Sequence, residues 1–324
     1  MVLAAILALA GAAVALAMAR SRPAPPAPRA GQASAPPPNS VSPAGAPHGP
    51  FAVGVLVLRL VDRSRLLDGA PRVLVTVVRY PALGTPASTD RPDAAPARAG
   101  GPFPLVVFAH GYRLAPFTYT RLLRAWTHAG YVVAAPYFPR TSARATVVDR
   151  GDLINQPQDL RFVISRLLAL RAGPLAGLID GSRIALGGHS DGVDSALALV
   201  YGAPRDPRIR AALGFSGAEV AAFTGFGGAR RGVPLLAAQG TADPVNSPAA
   251  TYAYFAAAPR PKYLLRLIGA LHTAPYQSEQ PHLGIVARVS TDFLDVYLKG
   301  GGGAGRRLAA DGSVHGLAAI TVDP

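Results

Sequence analysis

The stretch ALGGHSDGVDSALA, residues 185–198, runs from a small apolar segment through a glycine-rich turn into a segment typical of a helix. Its centre, Gly188-His189-Ser190-Asp191-Gly192, fits the pattern G-x-S-x-G. In such a turn the serine is exposed between a strand and a helix, and side chains two residues away on either side would collide with those elements. The pattern is short, and Gly214-Phe215-Ser216-Gly217-Ala218 misses it by only the last glycine. The surroundings of Ser190 therefore decide whether it is a nucleophile or lies in a plain strand-to-helix connection.

Strands and helices alternate on both sides of this turn. Continuous apolar runs such as PLVVFA (104–109), YVVAAP (131–136) and KYLLRL (262–267) are typical of strands buried on both faces. FAVGVLVLRLVD and RVLVTVVRYPA, separated by DGAP, indicate an antiparallel opening pair, and we expect residues 84–101 to form a disordered insert. Amphipathic segments such as 155–173 fill the intervals between strands. The pattern predicts an α/β fold with a mostly parallel eight-stranded sheet and helices on both faces.

The chain is predicted to hold one catalytic domain, residues 51–300, between two flanking segments. Residues 1–19 form an uncharged apolar run that ends in an A-x-A cleavage site, which is typical of a secretory signal peptide. An uncleaved anchor is the alternative, and the arginines that follow the run would then keep the catalytic part on the cytoplasmic side. Residues 20–50 are rich in proline and predict a disordered linker. A Gly-rich tail, 301–324, would add an extra strand or a loop packed on the body.

The composition excludes several classes of protein. The chain has no cysteine, which excludes disulfides, thiol catalysis and cysteine-ligated zinc. The net charge is +14, but the arginines are scattered and few aromatic residues lie among them. We therefore expect no nucleic-acid partner, while a mild attraction to anionic surfaces stays open.

Functional residues of a parallel sheet collect after the carboxyl ends of its strands. His110-Gly111-Tyr112 follow PLVVFA, two strands before the turn at Ser190. In a hydrolase, the backbone amides of Tyr112 and Asp191 would form an oxyanion hole, each worth about 3 kcal/mol of barrier. An ordinary turn is the alternative for this loop. The Asp191 side chain would cap the helix that begins there or disfavour anionic substrates.

A carboxylate and a histidine follow later strands in the order Ser…Asp…His. Asp243 follows VPLLAAQGTA and could orient the histidine, with Glu219 after LGFSG as the rival acid. His272 follows YLLRLIGAL, and of the seven histidines it alone ends a predicted core strand. As general base it would take the proton of Ser190 and return it to the leaving group. A turn acid and a structural histidine are the alternatives.

These stretches together resemble the α/β-hydrolases. The chain is similar in particular to the dienelactone hydrolase-like branch that includes platelet-activating-factor acetylhydrolases, chlorophyllases and cutinase-like polyester hydrolases. The resemblance rests on RYPA, PLVVFAHGY, NQPQDLRFVISRLLAL, GGHSDG, QGTADPVN and ALHTAPY, between residues 72 and 276. It implies a Ser-His-Asp esterase mechanism through an acyl-enzyme, with no cofactor and no metal. Polyester hydrolases usually have a methionine where Asp191 stands and commonly carry a disulfide, so polymer degradation is not carried over. Dienelactone hydrolases proper use a cysteine at the position of Ser190.

The sequence thus predicts an exported serine carboxylic ester hydrolase, similar to carboxylesterases and lipases. Ser190, Asp243 and His272 would form its triad, and Gly188 and Gly192 its nucleophile elbow. We expect a monomer that acts on small-molecule or lipid esters with short- to medium-chain acyl groups. The N-terminal segment would allow association with a membrane or the cell envelope. Two alternatives stay open, which are a cell-envelope acyltransferase on the same triad and a hydrolase-fold protein that binds without catalysis.

Overall fold

The continuous apolar runs around Ser190 form the central strands of a sheet. This computed structural model describes residues 50–203, 205–217 and 232–324. The predicted signal peptide or anchor at 1–19, residues 20–49 of the predicted linker and the rival acid Glu219 lie outside the described residues.

Within the described residues, one ten-stranded sheet has the order β10-β9-β8-β7-β6-β4-β5-β2-β1-β3. The pairs from β5 through β4, β6, β7 and β8 to β9 are parallel, whereas β1/β2, β2/β5 and β9/β10 are antiparallel. The mostly parallel sheet and the antiparallel opening pair are therefore confirmed. The strands are β1 (Ala52–Leu67), β2 (Ala70–Ala82), β3 (Arg91–Pro92), β4 (Phe103–Ala109), β5 (Val132–Pro136), β6 (Ile179–His189), β7 (Ile209–Phe215), β8 (Leu235–Gly240), β9 (Lys262–Leu267) and β10 (Ala318–Asp323).

The predicted count of eight strands is wrong: β3 lies in the insert that was expected to be disordered, and β10 lies in the C-terminal segment, for which an extra strand was one of two alternatives. β3 belongs to the insert 84–101, which is ordered rather than disordered. Within it, Asp90 binds Arg79 at 2.8 Å and Arg124 at 2.7 Å. Arg79 is buried, so the insert supplies the carboxylate that this cation needs.

Helices cover both faces of the sheet. Alternate residues of a strand point to opposite faces, so Leu105 and Val107 of β4 pack in one apolar layer and Val106 and Phe108 in the other. Helices α2, α3 and α4 belong to the first layer, and α1, α5, α6 and α7 to the second. The helices are α1 (Thr120–His128), α2 (Gln156–Leu168), α3 (Asp191–Tyr201), α4 (Pro248–Ala257), α5 (Ala274–Gln277), α6 (His282–Leu294) and α7 (Ala304–Asp311).

No helix within the described ranges combines the length and the apolar character needed to cross a membrane. Residues beyond 300 join the body of the fold, because α7 packs on α6 and β10 pairs with β9. Of the two alternatives for the C-terminal segment, the structure has the strand.

A buried ion cluster fixes the segment that follows β5. Arg72 of β2 binds Asp159 of α2 through Nε and Nη2, each at 2.7 Å. Its Nη1 and Nη2 bind Asp152 at 2.9 and 2.6 Å. Asp152 lies in a 3₁₀ segment, Arg150–Asn155, so this cluster holds that segment against the sheet. Both edges of the Arg72 guanidinium fork are therefore occupied by carboxylates.

Candidate active site

Ser190 lies on the sharp turn between β6 and α3. Its backbone has φ 54° and ψ −130°, a conformation that costs free energy for any residue except glycine. The Ser190 amide donates to the Phe215 carbonyl at 3.0 Å, and the Ser190 carbonyl accepts from the Val193 amide at 2.8 Å. Strand β7 and the first turn of α3 thereby hold the strained residue in place.

The two glycines of the turn are required by its geometry. A Cβ atom at Gly188 would overlap the backbone carbonyl of Gly192. A Cβ atom at Gly192 would overlap the backbone carbonyl of Ala109 at the end of β4. Strand β6, the start of α3 and strand β4 therefore approach more closely than any side chain allows, as a nucleophile elbow requires.

His272 and Asp243 form a hydrogen-bonded pair after the neighbouring strands β9 and β8. His272 Nδ1 lies 2.8 Å from Asp243 Oδ2, and the other carboxylate oxygen accepts the amides of Val245 at 2.8 Å and Asn246 at 3.0 Å. Burial raises the pKa of Asp243, but the hydrogen bonds from His272 and the two amides outweigh it, and the net pKa lies below its ordinary value. The carboxylate is therefore ionised beside the imidazole.

The loop after β4 lies directly against Ser190. A Cβ atom at Gly111 would be 3.0 Å from the Ser190 Cβ, so the backbone of this loop approaches the serine. Among the described residues, neither the Tyr112 amide nor the Asp191 amide donates a hydrogen bond within the fold. Asp191 is the first residue of α3, where the amide has no partner in the helix and the helix dipole is positive. Both amides are thus available to an oxygen atom of a ligand.

The expected helix-capping role of Asp191 is wrong. Ser190 occupies the N-cap position of α3, and no side chain there caps the helix. The Asp191 carboxylate binds Arg150 instead, with Nε at 2.9 Å and Nη2 at 2.8 Å. The Arg150 guanidinium also lies 5.8 Å from the centre of the Tyr112 ring. A bidentate ion pair therefore links the turn at Ser190 to the 3₁₀ segment after β5.

A buried hydrogen-bond chain that the sequence does not predict involves Tyr119 and His189. The Gly111 amide donates to Tyr119 Oη at 3.2 Å, and Tyr119 Oη lies 2.8 Å from His189 Nδ1. His189 Nε2 lies 2.9 Å from the backbone carbonyl of His272. Because a carbonyl only accepts, His189 Nε2 carries the proton and Nδ1 accepts the Tyr119 hydroxyl. The chain thereby joins the loop after β4 to the loop that carries His272.

Burial keeps His189 neutral. Loss of solvation, with a further contribution from neighbouring His272, lowers the pKa of His189 to about 3. The two imidazole rings lie 4.7 Å apart between centroids. The only signal in the sequence was the position of His189 directly before Ser190, and this position does not reveal partners 70 and 83 residues away.

His110 is also a structural histidine. Its Nε2 accepts the Phe138 amide at 3.1 Å, so its Nδ1 donates to the Gly111 carbonyl at 2.8 Å. Complete burial lowers the pKa of His110 to about 4. It joins the loops after β4 and β5, which agrees with its assignment to a loop rather than to acid–base chemistry.

Ser216, which nearly matches the G-x-S-x-G pattern, contacts Tyr276 through its hydroxyl and not the His272–Asp243 pair. Ser216 is fully buried, and its Oγ lies 2.9 Å from the Tyr276 hydroxyl. Of the two candidate acids, Asp243 contacts His272, and Glu219 lies outside the described residues.

The described ranges show no second candidate for a catalytic site among their metal-binding groups or in the cavity near the amino ends of β4 and β5. Those ranges contain no group of three or more His, Cys, Asp or Glu side chains that could hold a metal ion. A cavity of about 930 Å³ lies at the opposite edge, near the amino ends of β4 and β5. Its lining includes Phe51, Phe103, Gly130 and Arg307 and none of the predicted site residues.

Comparison with known proteins agrees with this architecture. Residues 90–217 match the Chlorophyllase family model, a range that includes Tyr112 and Ser190. A solved ferulic acid esterase from Streptomyces cinnamoneus superposes with a TM-score of 0.62 at 19% identity. The alignment covers 86% of this chain and 98% of that chain. The chain has the α/β-hydrolase fold. No match was found among curated proteins.

The resemblance to α/β-hydrolases, and to the branch that includes chlorophyllases, is thus confirmed. The family match ends before β8, so it covers neither Asp243 nor His272. The contact between those two residues is seen in the structure of this protein.

Proposed function

We propose that the protein is an exported serine hydrolase that cleaves carboxylic esters of short- to medium-chain acids. The observation that carries the proposal is the pairing of His272 with Asp243 at 2.8 Å, at the same edge of the sheet as the strained Ser190. The matched solved structure is named an esterase, and the matching family model is named Chlorophyllase. Both names support ester substrates. Export is inferred from the apolar run at 1–19.

The chemistry follows from the hydrogen bonds. Nδ1 of His272 is engaged with Asp243, which leaves Nε2 to take the Ser190 proton as Oγ attacks the ester carbonyl. The oxyanion forms against the Tyr112 and Asp191 amides, and the ionised Asp243 stabilises the imidazolium. Collapse breaks the ester bond, and His272 gives its proton to the departing alcohol. Water then attacks the acyl-enzyme by the same steps and releases the acid and Ser190.

We propose that the protein acts alone, as a monomer, on small-molecule or lipid esters. Transfer of the acyl group to a sugar or lipid alcohol uses the same triad. Analysis of the products with an added alcohol acceptor separates the two reactions, because hydrolysis leaves the acyl group only as the free acid, whereas transfer also yields an ester of the added alcohol.

The test compares two serines in similar motifs. Ser190→Ala should abolish hydrolysis of p-nitrophenyl butyrate and labelling by a fluorophosphonate probe. Ser216→Ala is the matched control and should keep both, because Ser216 contacts Tyr276 and not His272. Labelling or hydrolysis that survives in Ser190→Ala would remove the serine from the mechanism.

A further inference from the structure

Arg150 presents a cation beside the side chains of Asp191 and Tyr112. Its guanidinium binds the Asp191 carboxylate through two hydrogen bonds and lies over the ring of Tyr112. Asp191 and Tyr112 are the residues whose amides face the developing oxyanion in the proposed function. A group bound to Arg150 would therefore lie close to the two residues that carry the proposed oxyanion hole.

The exposed member of this ion pair is the cation. The Arg150 side chain is 61% exposed, whereas the Asp191 side chain is 8% exposed. A substrate that enters from solvent therefore meets the guanidinium before the carboxylate. Arg113, which follows Tyr112 in the chain, is exposed. Asp149, which precedes Arg150, is also exposed, and its carboxylate accepts the Gly151 amide. The expectation that Asp191 disfavours anionic substrates therefore has an alternative, in which the exposed Arg150 favours them.

The buried cluster at Arg72 shows what the open edge of Arg150 can bind. Arg72 uses its Nε and Nη2 edge for one carboxylate and its Nη1 and Nη2 edge for a second. Arg150 uses the same inner edge, Nε and Nη2, for Asp191. Within the described residues, no carboxylate pairs with the outer edge of Arg150. The Arg150 guanidinium is therefore oriented by the Asp191 carboxylate, and its outer edge can bind a second carboxylate.

We propose that the outer edge of Arg150 binds a carboxylate carried by the ester substrate, on either its acyl or its alcohol side. This inference rests on the proposed function and names the substrate class of that same site. Binding is favoured because Asp191 restrains the guanidinium, so little side-chain entropy is lost when the substrate arrives. A planar guanidinium and a carboxylate form two parallel hydrogen bonds, which neutral esters cannot replace.

Two matched pairs of substrates separate the acyl and alcohol sources of the carboxylate. Mono-p-nitrophenyl glutarate against p-nitrophenyl pentanoate tests an acyl-side charge. p-Carboxyphenyl butyrate against phenyl butyrate tests an alcohol-side charge. In one of the pairs, the wild-type kcat/KM should favour the anionic ester, and Arg150→Gln should lower that preference about tenfold. The preference should also fall as salt is added, because the guanidinium is largely exposed.

Arg307→Gln is the matched control. Arg307 is 55% exposed and binds Asp292, which is 8% exposed, at the opposite edge of the sheet. The Arg307→Gln variant should leave both preferences at the wild-type value. The inference is overturned if Arg150→Gln leaves both ratios unchanged or if Arg307→Gln lowers them equally.

A binding measurement keeps this inference separate from catalysis. Calorimetry on Ser190→Ala should show tighter binding of mono-p-nitrophenyl glutarate or p-carboxyphenyl butyrate than of its neutral partner. Adding Arg150→Gln should remove the difference. If no ester is hydrolysed by the wild type but this difference is present, the proposed function fails and the anion site stands. Equal binding of the anionic and neutral partners in both pairs overturns the anion site, even in an active esterase.

Discussion

His189 Nε2 donates to the backbone carbonyl of His272 at 2.9 Å, so the residue before the proposed nucleophile holds the loop of the proposed base. Through Tyr119 the same imidazole is connected to Gly111, next to the proposed oxyanion donor Tyr112. One buried chain of hydrogen bonds therefore sets the relative positions of the elbow, the oxyanion loop and the base loop. The side chains of Tyr119 and His189 are fully buried, so we expect them to position the reacting groups rather than to contact the substrate.

Tyr119→Phe tests this positioning role. The substitution removes the donor to His189 Nδ1 and the acceptor of the Gly111 amide, which costs about 1–3 kcal/mol for each group left unpaired. We expect kcat to fall about tenfold with a smaller change in KM, because the catalytic geometry loosens while the substrate pocket remains.

Tyr80→Phe is the matched control for this experiment. Tyr80 is fully buried, and its hydroxyl donates one hydrogen bond to the Ala94 carbonyl at 2.7 Å. The control should lower the thermal midpoint but not kcat, because Tyr80 lies in β2, away from the site. Equal losses of kcat in the two variants would mean that Tyr119 acts only through stability.

Asp243→Asn tests the role of the ionised carboxylate. The asparagine side chain has nearly the shape of aspartate, but it lacks the charge that stabilises the His272 imidazolium. Its amide can also hold His272 in the wrong tautomer. We expect kcat for p-nitrophenyl butyrate to fall about 10³- to 10⁴-fold. Asp206→Asn replaces a buried carboxylate that precedes β7, and the folded protein should keep its kcat. A loss of less than tenfold in Asp243→Asn would point to another acid.

The central strands could be predicted because each is buried on both faces. β4 contributes alternate residues to two apolar layers, and a strand in that position must be apolar throughout. The edges of the sheet could not be predicted in this way. β3 has only two residues, too few to form a pattern. Val322 of β10 is exposed, so the C-terminal segment allowed a loop as well as a strand.

The chain order of Ser190, Asp243 and His272 was visible because each follows a recognisable strand. The partners of Asp191 and His189 were not, because Arg150 is 41 residues from Asp191 and lies in a segment without regular patterning. A capping role for Asp191 follows from local statistics alone. The ion pair with Arg150 depends on the path of the loop after β5, which Arg72 fixes from inside the protein.

Gly192→Ala tests the close approach of β4 and α3. A Cβ atom there would overlap the Ala109 carbonyl, so the backbone must shift and move Ser190. We expect a loss of about 1–3 kcal/mol of stability and a fall in kcat that exceeds the fall in folded protein. Gly305→Ala, in α7, has no atom within 4 Å of the new Cβ and should leave stability unchanged or slightly increased. The free energy of unfolding in urea and kcat per folded molecule distinguish these outcomes.

The two buried histidines should make the protein sensitive to acid. The folded-state pKa of His110 is about 4 and that of His189 about 3, both below the ordinary value of 6.5. As the pH falls below about 6.5, the unfolded chain binds protons that the folded chain does not, so the free energy of unfolding decreases. Between pH 7 and pH 5 the loss should be about 2 kcal/mol for each histidine.

His110→Asn separates this contribution from the rest of the titration. Its amide can still donate to the Gly111 carbonyl in place of Nδ1, but it takes up no proton in this pH range. The variant should therefore lose about 2 kcal/mol less than the wild type between pH 7 and pH 5 in urea unfolding. An unchanged pH dependence would show that His110 binds its proton in the folded state. Protonation would then have to break the bond from the Phe138 amide, because a protonated Nε2 cannot accept it.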